Sequence, residues 1–168
     1  MVNKIIVNLK SKIFSVEIQK SLSLFSKGYG SKDGDVLFLD VYEVYYLLEK
    51  EKISIIKGKK FLTKNDFKKF SFFNYVNYLV YKDLRNKGYL VKSGFKFGFV
   101  FRVYEKGIKI GDDHSLWLVD IFLENEKFNF KNLIGKNRVA HNSNKKMLFA
   151  IVDDDFSITY IENSWKRV

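Results

Sequence analysis

Cysteine and proline are both missing from this 168-residue chain, and histidine occurs only twice. Without cysteine, disulfides and thiolate metal sites are excluded. Two histidines cannot make a three-histidine metal centre, although carboxylates could assist them. With no proline, turns must rely on Gly, Asn and Asp. No unbroken apolar run is long enough to span a bilayer, and no secretory signal with its small-residue cleavage site is present. A cytoplasmic protein without a membrane partner is expected.

What the chain does have is positive charge and aromatic rings. Thirty Lys and Arg against nineteen Asp and Glu leave a net charge of +11. Such a surface attracts polyanions, so RNA, DNA and anionic membrane are the partner classes that charge alone allows. Seventeen Phe and ten Tyr make any core strongly aromatic. At 46% hydrophobic and 29% charged the chain is globular, not disordered. No P-loop, GxGxxG, HExxH or EF-hand motif occurs, and Gly94-Phe95-Lys96-Phe97-Gly98 lacks Walker A spacing. No cofactor or metal is expected.

Loose alternation over residues 1–20 predicts two short strands with a turn near Lys10 and Ser11. Asp40 with Glu43 three residues on, and Thr63 with Asp66, are capping-box pairs that predict helix starts. A helix over about 72–86 carries Val76, Leu79, Val80 and Leu84 on one stripe, with Gly88 placed to end it. The fold class expected is α/β with α+β character: two small mixed α/β domains, 1–61 and 62–168. The first is marginal for a core of its own, while the second is large enough.

The stretch from Tyr89 to Trp117 organises the second domain. Alternation predicts one long strand, with Phe95, Phe97, Phe99, Phe101 and Val103 as an aromatic core wall. Lys96, Gly98, Val100, Arg102 and Tyr104 then share the other face. Glu105, Lys106 and Gly107 read as a turn, and His114, after Asp112 and Asp113, stands at the mouth of a strand over 115–122. A helix over about 130–143 leads to Lys145 and a strand over 147–152. Asp153, Asp154 and Asp155 form an acidic turn before the returning strand.

Tyr104, His114 and Lys145 thus lie at a strand end, a strand start and a helix-to-strand junction. Junctions at one edge of a sheet can converge, and loops are where reacting groups usually sit. Their chemistry suits phosphodiester cleavage by an internal 2′-hydroxyl. That reaction needs a base at the 2′-oxygen, an acid at the departing 5′-oxygen and positive charge beside the phosphorane oxygens. Histidine, with an unperturbed pKa of about 6.5, suits the acid. Tyrosine, at about 10, needs help to act as a base, and a nearby lysine favours phenolate. Taken singly, each has a plainer role: Tyr104 can border the sheet, His114 can be held by its Asp and Ser neighbours, and Lys145 is one of many lysines. His141, on the helix, fits a structural role.

Three segments, YKDLRNKGYLVKSGFKFGFVFRVYEKG, HSLWLVDIF and NRVAHNSNKKMLFAIVDDDFSITYIENSW, closely resemble the archaeal tRNA-splicing endonuclease family. LSLFSKGYG and LDVYEVYYLLEK extend the likeness more loosely into the N-terminal half. The resemblance implies that the C-terminal domain carries the nuclease core and that Tyr104, His114 and Lys145 are its catalytic triad. Their implied roles are general base, general acid and transition-state stabiliser. It implies precursor tRNA with a bulge–helix–bulge motif as partner, cut to a 2′,3′-cyclic phosphate and a 5′-hydroxyl. It matches Arg138 to an arginine that stacks on a bulge nucleotide, and Arg167 to a second such arginine. It also implies that Asp153, Asp154 and Asp155 dock into a basic groove of a neighbouring subunit. A homotetramer, or a heterotetramer with a structural subunit, is expected. HNSNK departs from the more basic form usual in the family but keeps Lys145. A non-catalytic RNA-binding or structural subunit of the same assembly is the alternative.

Overall fold

The computed structural model describes residues 4–108, 114–127 and 129–166. Its chain divides into two compact units, Met1–Tyr75 and Val76–Val168. Both are mixed α/β, as expected.

The first unit holds β1 (Ile5–Lys10), β2 (Ile13–Glu17), α1 (Ile18–Phe25), β3 (Ser31–Asp33), β4 (Val36–Leu39), α2 (Val41–Glu49), β5 (Ile53–Lys57), β6 (Lys60–Leu62) and α3 (Lys64–Phe67). The strands form one sheet in the order β3-β4-β2-β1-β5-β6, with β1 and β5 the parallel pair. Ser11 and Lys12 make the β1–β2 turn, both at positive φ (48° and 69°). Both capping boxes form. Asp40 accepts from the Tyr42 amide while Glu43 reaches back to the Asp40 amide, and Thr63 and Asp66 repeat the exchange. β3 and β6 are strands that the sequence reads as a polar loop and a strand terminus.

The first compact unit runs on to Tyr75. The reason is aromatic packing within the first unit. Phe67 stacks on Phe14 at 5.9 Å and meets Tyr45 edge-on at 5.1 Å. Phe73 lies 4.7 Å from Tyr45. These rings tie 67–73 to strands and helices far upstream.

The second unit holds all but the first residue of α4 (Tyr75–Asn86), then β7 (Leu90–Ser93), β8 (Phe101–Tyr104), β9 (Trp117–Leu123), α5 (Phe130–Asn142), β10 (Lys146–Val152) and β11 (Ile158–Asn163). Its sheet runs β11-β10-β9-β8-β7. Only β9 and β10 are parallel, joined through α5 as a β-α-β crossover; the other pairs are antiparallel. Helices cover both faces, so strands such as β9 (WLVDIFL) can be almost continuously apolar. On one face Ala140 of α5 packs with Leu118, Met147, Phe149 and Phe99. On the other, Tyr81 of α4 packs against Phe101, and Tyr160 donates to Asp83 Oδ2 (2.8 Å). Burial and the aspartate acceptor together push the Tyr160 phenol far up. Asp120, buried in β9, is neutralised by Lys136 of α5. Gly88 ends α4 at φ 91°. The buried stripe of α4 is Tyr78, Val80, Tyr81 and Leu84, whereas Val76 and Leu79 are only half-buried.

The long strand expected from Phe95 to Tyr104 is not one strand. The chain reverses: β7 pairs antiparallel with β8, and residues 94–100 form the connection, including a 3₁₀ turn over Phe95–Phe97. Phe95 is 88% exposed, Phe97 is half-buried, and Phe99, Phe101 and Val103 are buried. The alternation therefore holds within β8 and lapses in the turn. Gly94 is what makes the reversal possible. A Cβ there would lie 2.7 Å from the Phe101 carbonyl carbon and oxygen and 2.9 Å from the Phe99 oxygen.

Candidate active site

β8, β9 and β10 are neighbours in the sheet, and the pairing of Trp117 with both Val103 and Lys146 aligns three chain segments at one end. Leu116 bridges them through its backbone. Its amide donates to the Val103 oxygen (2.8 Å), and its oxygen accepts from the Lys146 amide (3.0 Å). Tyr104 follows Val103, His114 lies just before Leu116, and Lys145 precedes Lys146. The three candidates therefore flank a single backbone bridge. Faces follow from register. Arg102 is opposite Leu118, which packs on α5, and Tyr104 shares its parity, as Lys145 does with Met147. The parity expected for Arg102 and Tyr104, opposite to Phe101 and Val103, holds. His114 is exposed beside buried Ser115.

Lys145 is half-buried where α5 runs into β10. Its Nζ donates to the Ser143 oxygen (2.8 Å) at the carbonyl end of α5 and lies 5.4 Å from the Phe97 ring centroid. Burial, then the charges of Lys96 and Arg102, hold the ammonium pKa below the usual lysine value. The Lys96 ammonium sits 4.9 Å from the same Phe97 ring. The Arg102 guanidinium lies 5.7 Å from the Tyr104 ring centroid, and its Nε is buried with no hydrogen-bond partner. An unmet buried donor costs about 1–3 kcal/mol. Sequence reasoning placed Lys96 and Arg102 on the Tyr104 face but did not assign them to the site. For Arg102 the signal was available, since it lies two residues before Tyr104 on the same strand. For Lys96 it was not, because its position depends on the Gly94 reversal.

The other candidates lie apart from these three. Arg138, exposed on α5, has its guanidinium 5.9 Å from the Trp165 ring, and His141 is 6.3 Å from the same ring. Asp153, Asp154 and Asp155 follow the far end of β10, so a seven-residue strand separates them from Lys145, roughly 20 Å. The Ser157 amide donates to Asp153 Oδ1 (2.8 Å) and Asp155 Oδ1 (2.9 Å), and its hydroxyl donates to Asp155 Oδ1 with Asp153 Oδ2 also within reach at 3.0 Å. These bonds, the Ser157 hydroxyl first, hold the Asp155 carboxyl below the usual range. Arg167, like Asp112 and Asp113, lies outside the described residues. Among the described residues no group of three or more His, Asp or Glu could hold a metal ion, and no helix is long and apolar enough to cross a membrane.

Residues 74–160 match the family model for the tRNA intron endonuclease catalytic C-terminal domain, and residues 7–68 match the tRNA intron endonuclease N-terminal domain. A tRNA-splicing endonuclease of Thermococcus gammatolerans is 40% identical over 162 residues, covering 93% of this chain and 94% of the relative. The chain belongs to the tRNA-splicing endonuclease family. The tRNA-splicing endonuclease of Pyrococcus furiosus is 42% identical over 84% of both chains. That of Nanoarchaeum equitans is 39% identical over 77% of this chain and 89% of its own. The segment matching the family's catalytic domain contains Tyr104, His114, Lys145, Arg138 and the acidic turn; Arg167 lies beyond it. An enzymatic role in tRNA processing follows from that match.

Proposed function

We propose that this chain cuts precursor tRNA at the intron–exon junctions of a bulge–helix–bulge RNA without a metal ion. Tyr104 takes the proton from the 2′-hydroxyl of the nucleotide before the cut. The 2′-oxygen forms a bond to phosphorus, the bond to the 5′-oxygen breaks, and His114 gives that oxygen its proton. The products are a 2′,3′-cyclic phosphate and a 5′-hydroxyl. Lys145 stands beside the phosphorane oxygens, where preorganised charge has most effect. The observation that carries this reading is the alignment of the three segments around the Leu116 bridge, with a desolvated lysine among them. Arg138 offers a guanidinium for stacking on a bulge base, with Trp165 as its platform. Asp153, Asp154 and Asp155 are proposed to meet a basic groove of a neighbouring subunit in a homotetramer or heterotetramer, held at the far end of the sheet from the cut.

The test is cleavage of a bulge–helix–bulge precursor tRNA by this chain alone, in EDTA, with analysis of the new ends. Cyclic-phosphate and 5′-hydroxyl ends are expected. Cleavage only after Mg²⁺ is restored, or none even with a structural subunit added, would refute the proposal and favour a binding subunit.

A further inference from the structure

The Gly94-Phe95-Lys96-Phe97-Gly98 motif has no role in the triad chemistry, yet its turn is tightly specified. The Gly94 amide donates to the Val100 oxygen (3.0 Å), and the Gly94 oxygen accepts from the Phe97 (2.8 Å) and Phe99 (3.3 Å) amides. No Cβ fits at Gly94, and Gly98 closes the turn at φ 76°. Phe97 packs against the core cluster beneath α5 and so anchors the turn, which leaves Lys96 exposed above it. Lys96 and Lys145 point ammonium groups at one phenylalanine ring, 4.9 and 5.4 Å from its centroid. That places them within about one Debye length of each other. Arg102 acts on Lys145 as well and lies over Tyr104. Among the described residues none of the three cations has a carboxylate partner.

Three cations without a carboxylate partner among the described residues exceed what one phosphodiester requires. The scissile phosphate carries one negative charge, and its phosphorane carries two. We propose that Lys96 and Arg102 bind a second RNA phosphate, the one on the 5′ side of the nucleotide whose 2′-hydroxyl attacks. The side follows from Arg102 lying over Tyr104, which is assigned to that hydroxyl, while Lys145 serves the scissile phosphate. This inference rests on the proposed reading of the triad. Its consequence is positional: two phosphates pinned in sequence orient the ribose between them for in-line attack.

The test measures binding of a bulge–helix–bulge RNA to the His114→Ala chain, with KCl varied between about 50 and 200 mM. Removing one cation from a phosphate should flatten the slope of log K against log[salt] by about 0.7–0.9. Lys96→Gln and Arg102→Gln should each do so, and Lys96→Arg and Arg102→Lys should not. Lys96 is exposed, so its variants test the idea even if Arg102→Gln folds poorly. An RNA with a neutral methylphosphonate at the 5′-side phosphate should bind the parent and Lys96→Gln chains with equal slopes. An unchanged slope in both glutamine variants, or a methylphosphonate effect confined to the 3′ side, would overturn the proposal. Binding is read in a chain intended not to cleave. Residual cleavage by His114→Ala would therefore count against the triad reading, not against the second phosphate site.

Discussion

Gly94→Ala places one methyl group against backbone. Ordinary van der Waals contact begins near 3.4 Å, and the new Cβ would stand 2.7 Å from the Phe101 carbonyl carbon and oxygen. Something must move by about 0.7 Å. No flexible side-chain end is available to yield, because every crowded atom is backbone: Phe101 is the first residue of β8, paired with Ser93 and Val119, and the Phe99 oxygen stands 2.9 Å away. Overpacking of this kind costs about 1–3 kcal/mol. For a chain of this length each kcal/mol lowers Tm by about 2–4 °C, so a fall of about 4–8 °C is expected for a mid-range cost. The larger effect is on chemistry. A displaced β8 carries Arg102 and Tyr104 with it, and a displaced turn carries Lys96 and Phe97. A misplacement near 1 Å can cost about 100-fold in rate. Gly98→Ala is the matched comparison. It meets no atom within 4 Å but sits at φ 76°, so it carries left-handed strain of about 1–2 kcal/mol without pushing on β8. Single-turnover cleavage and thermal melting of the two variants should separate: similar losses of Tm, with a large rate loss only for Gly94→Ala. Equal rates in the two variants would refute the claim that this turn sets the site.

Other expectations are as direct. Gly135→Ala, on an exposed position of α5 with no atom within 4 Å of the new Cβ, should raise stability by about 0.5–1 kcal/mol; a lower Tm would contradict the open space there. Lys136→Met strands the buried Asp120 carboxylate and should cost about 3–5 kcal/mol in urea unfolding, whereas replacing both partners with apolar residues should recover most of it. Glu162 receives Lys146 (2.9 Å) and the Trp117 indole (2.8 Å), which together hold its carboxyl below the ordinary glutamate value. A depressed carboxylate stabilises above its unfolded value and loses that contribution as pH falls through its folded one. The Tm gap between wild type and Glu162→Gln should therefore be open at neutral pH and close in acid below the ordinary value of about 4.5; a gap constant with pH would exclude the ion pair as its source. His114→Ala should lose most cleavage and keep RNA binding, and a 2′-deoxy nucleotide at the cut should bind uncut.

Local rules located much of this fold because its signals are local. Asp40–Glu43 and Thr63–Asp66 are spaced for reciprocal hydrogen bonds across one helical turn, and both boxes form. Gly88 stops α4, and the short apolar runs of β4 and β10 are strands. Tyr104, His114 and Lys145 were legible as residues at element junctions, and family resemblance bound them into one reaction. Alternation failed at 95–97, since it cannot tell a strand from a tight turn with rings on either side. Only the clash at Gly94 reveals the reversal. That the first compact unit runs on to Tyr75 was not legible, because Phe67 and Phe73 choose partners some 20 to 60 residues upstream, Tyr45 and Phe14.

By itself, then, the chain's order of residues determined its helix starts, its strand parity, its charge and its family. Tertiary structure decided which ends of β8, β9 and β10 meet, and that Lys96 and Arg102 join Lys145 there. The physical reason is range. A cap or a period is settled within a few residues, whereas the convergence of cations depends on register between strands far apart in sequence and on a turn that admits no side chain at Gly94.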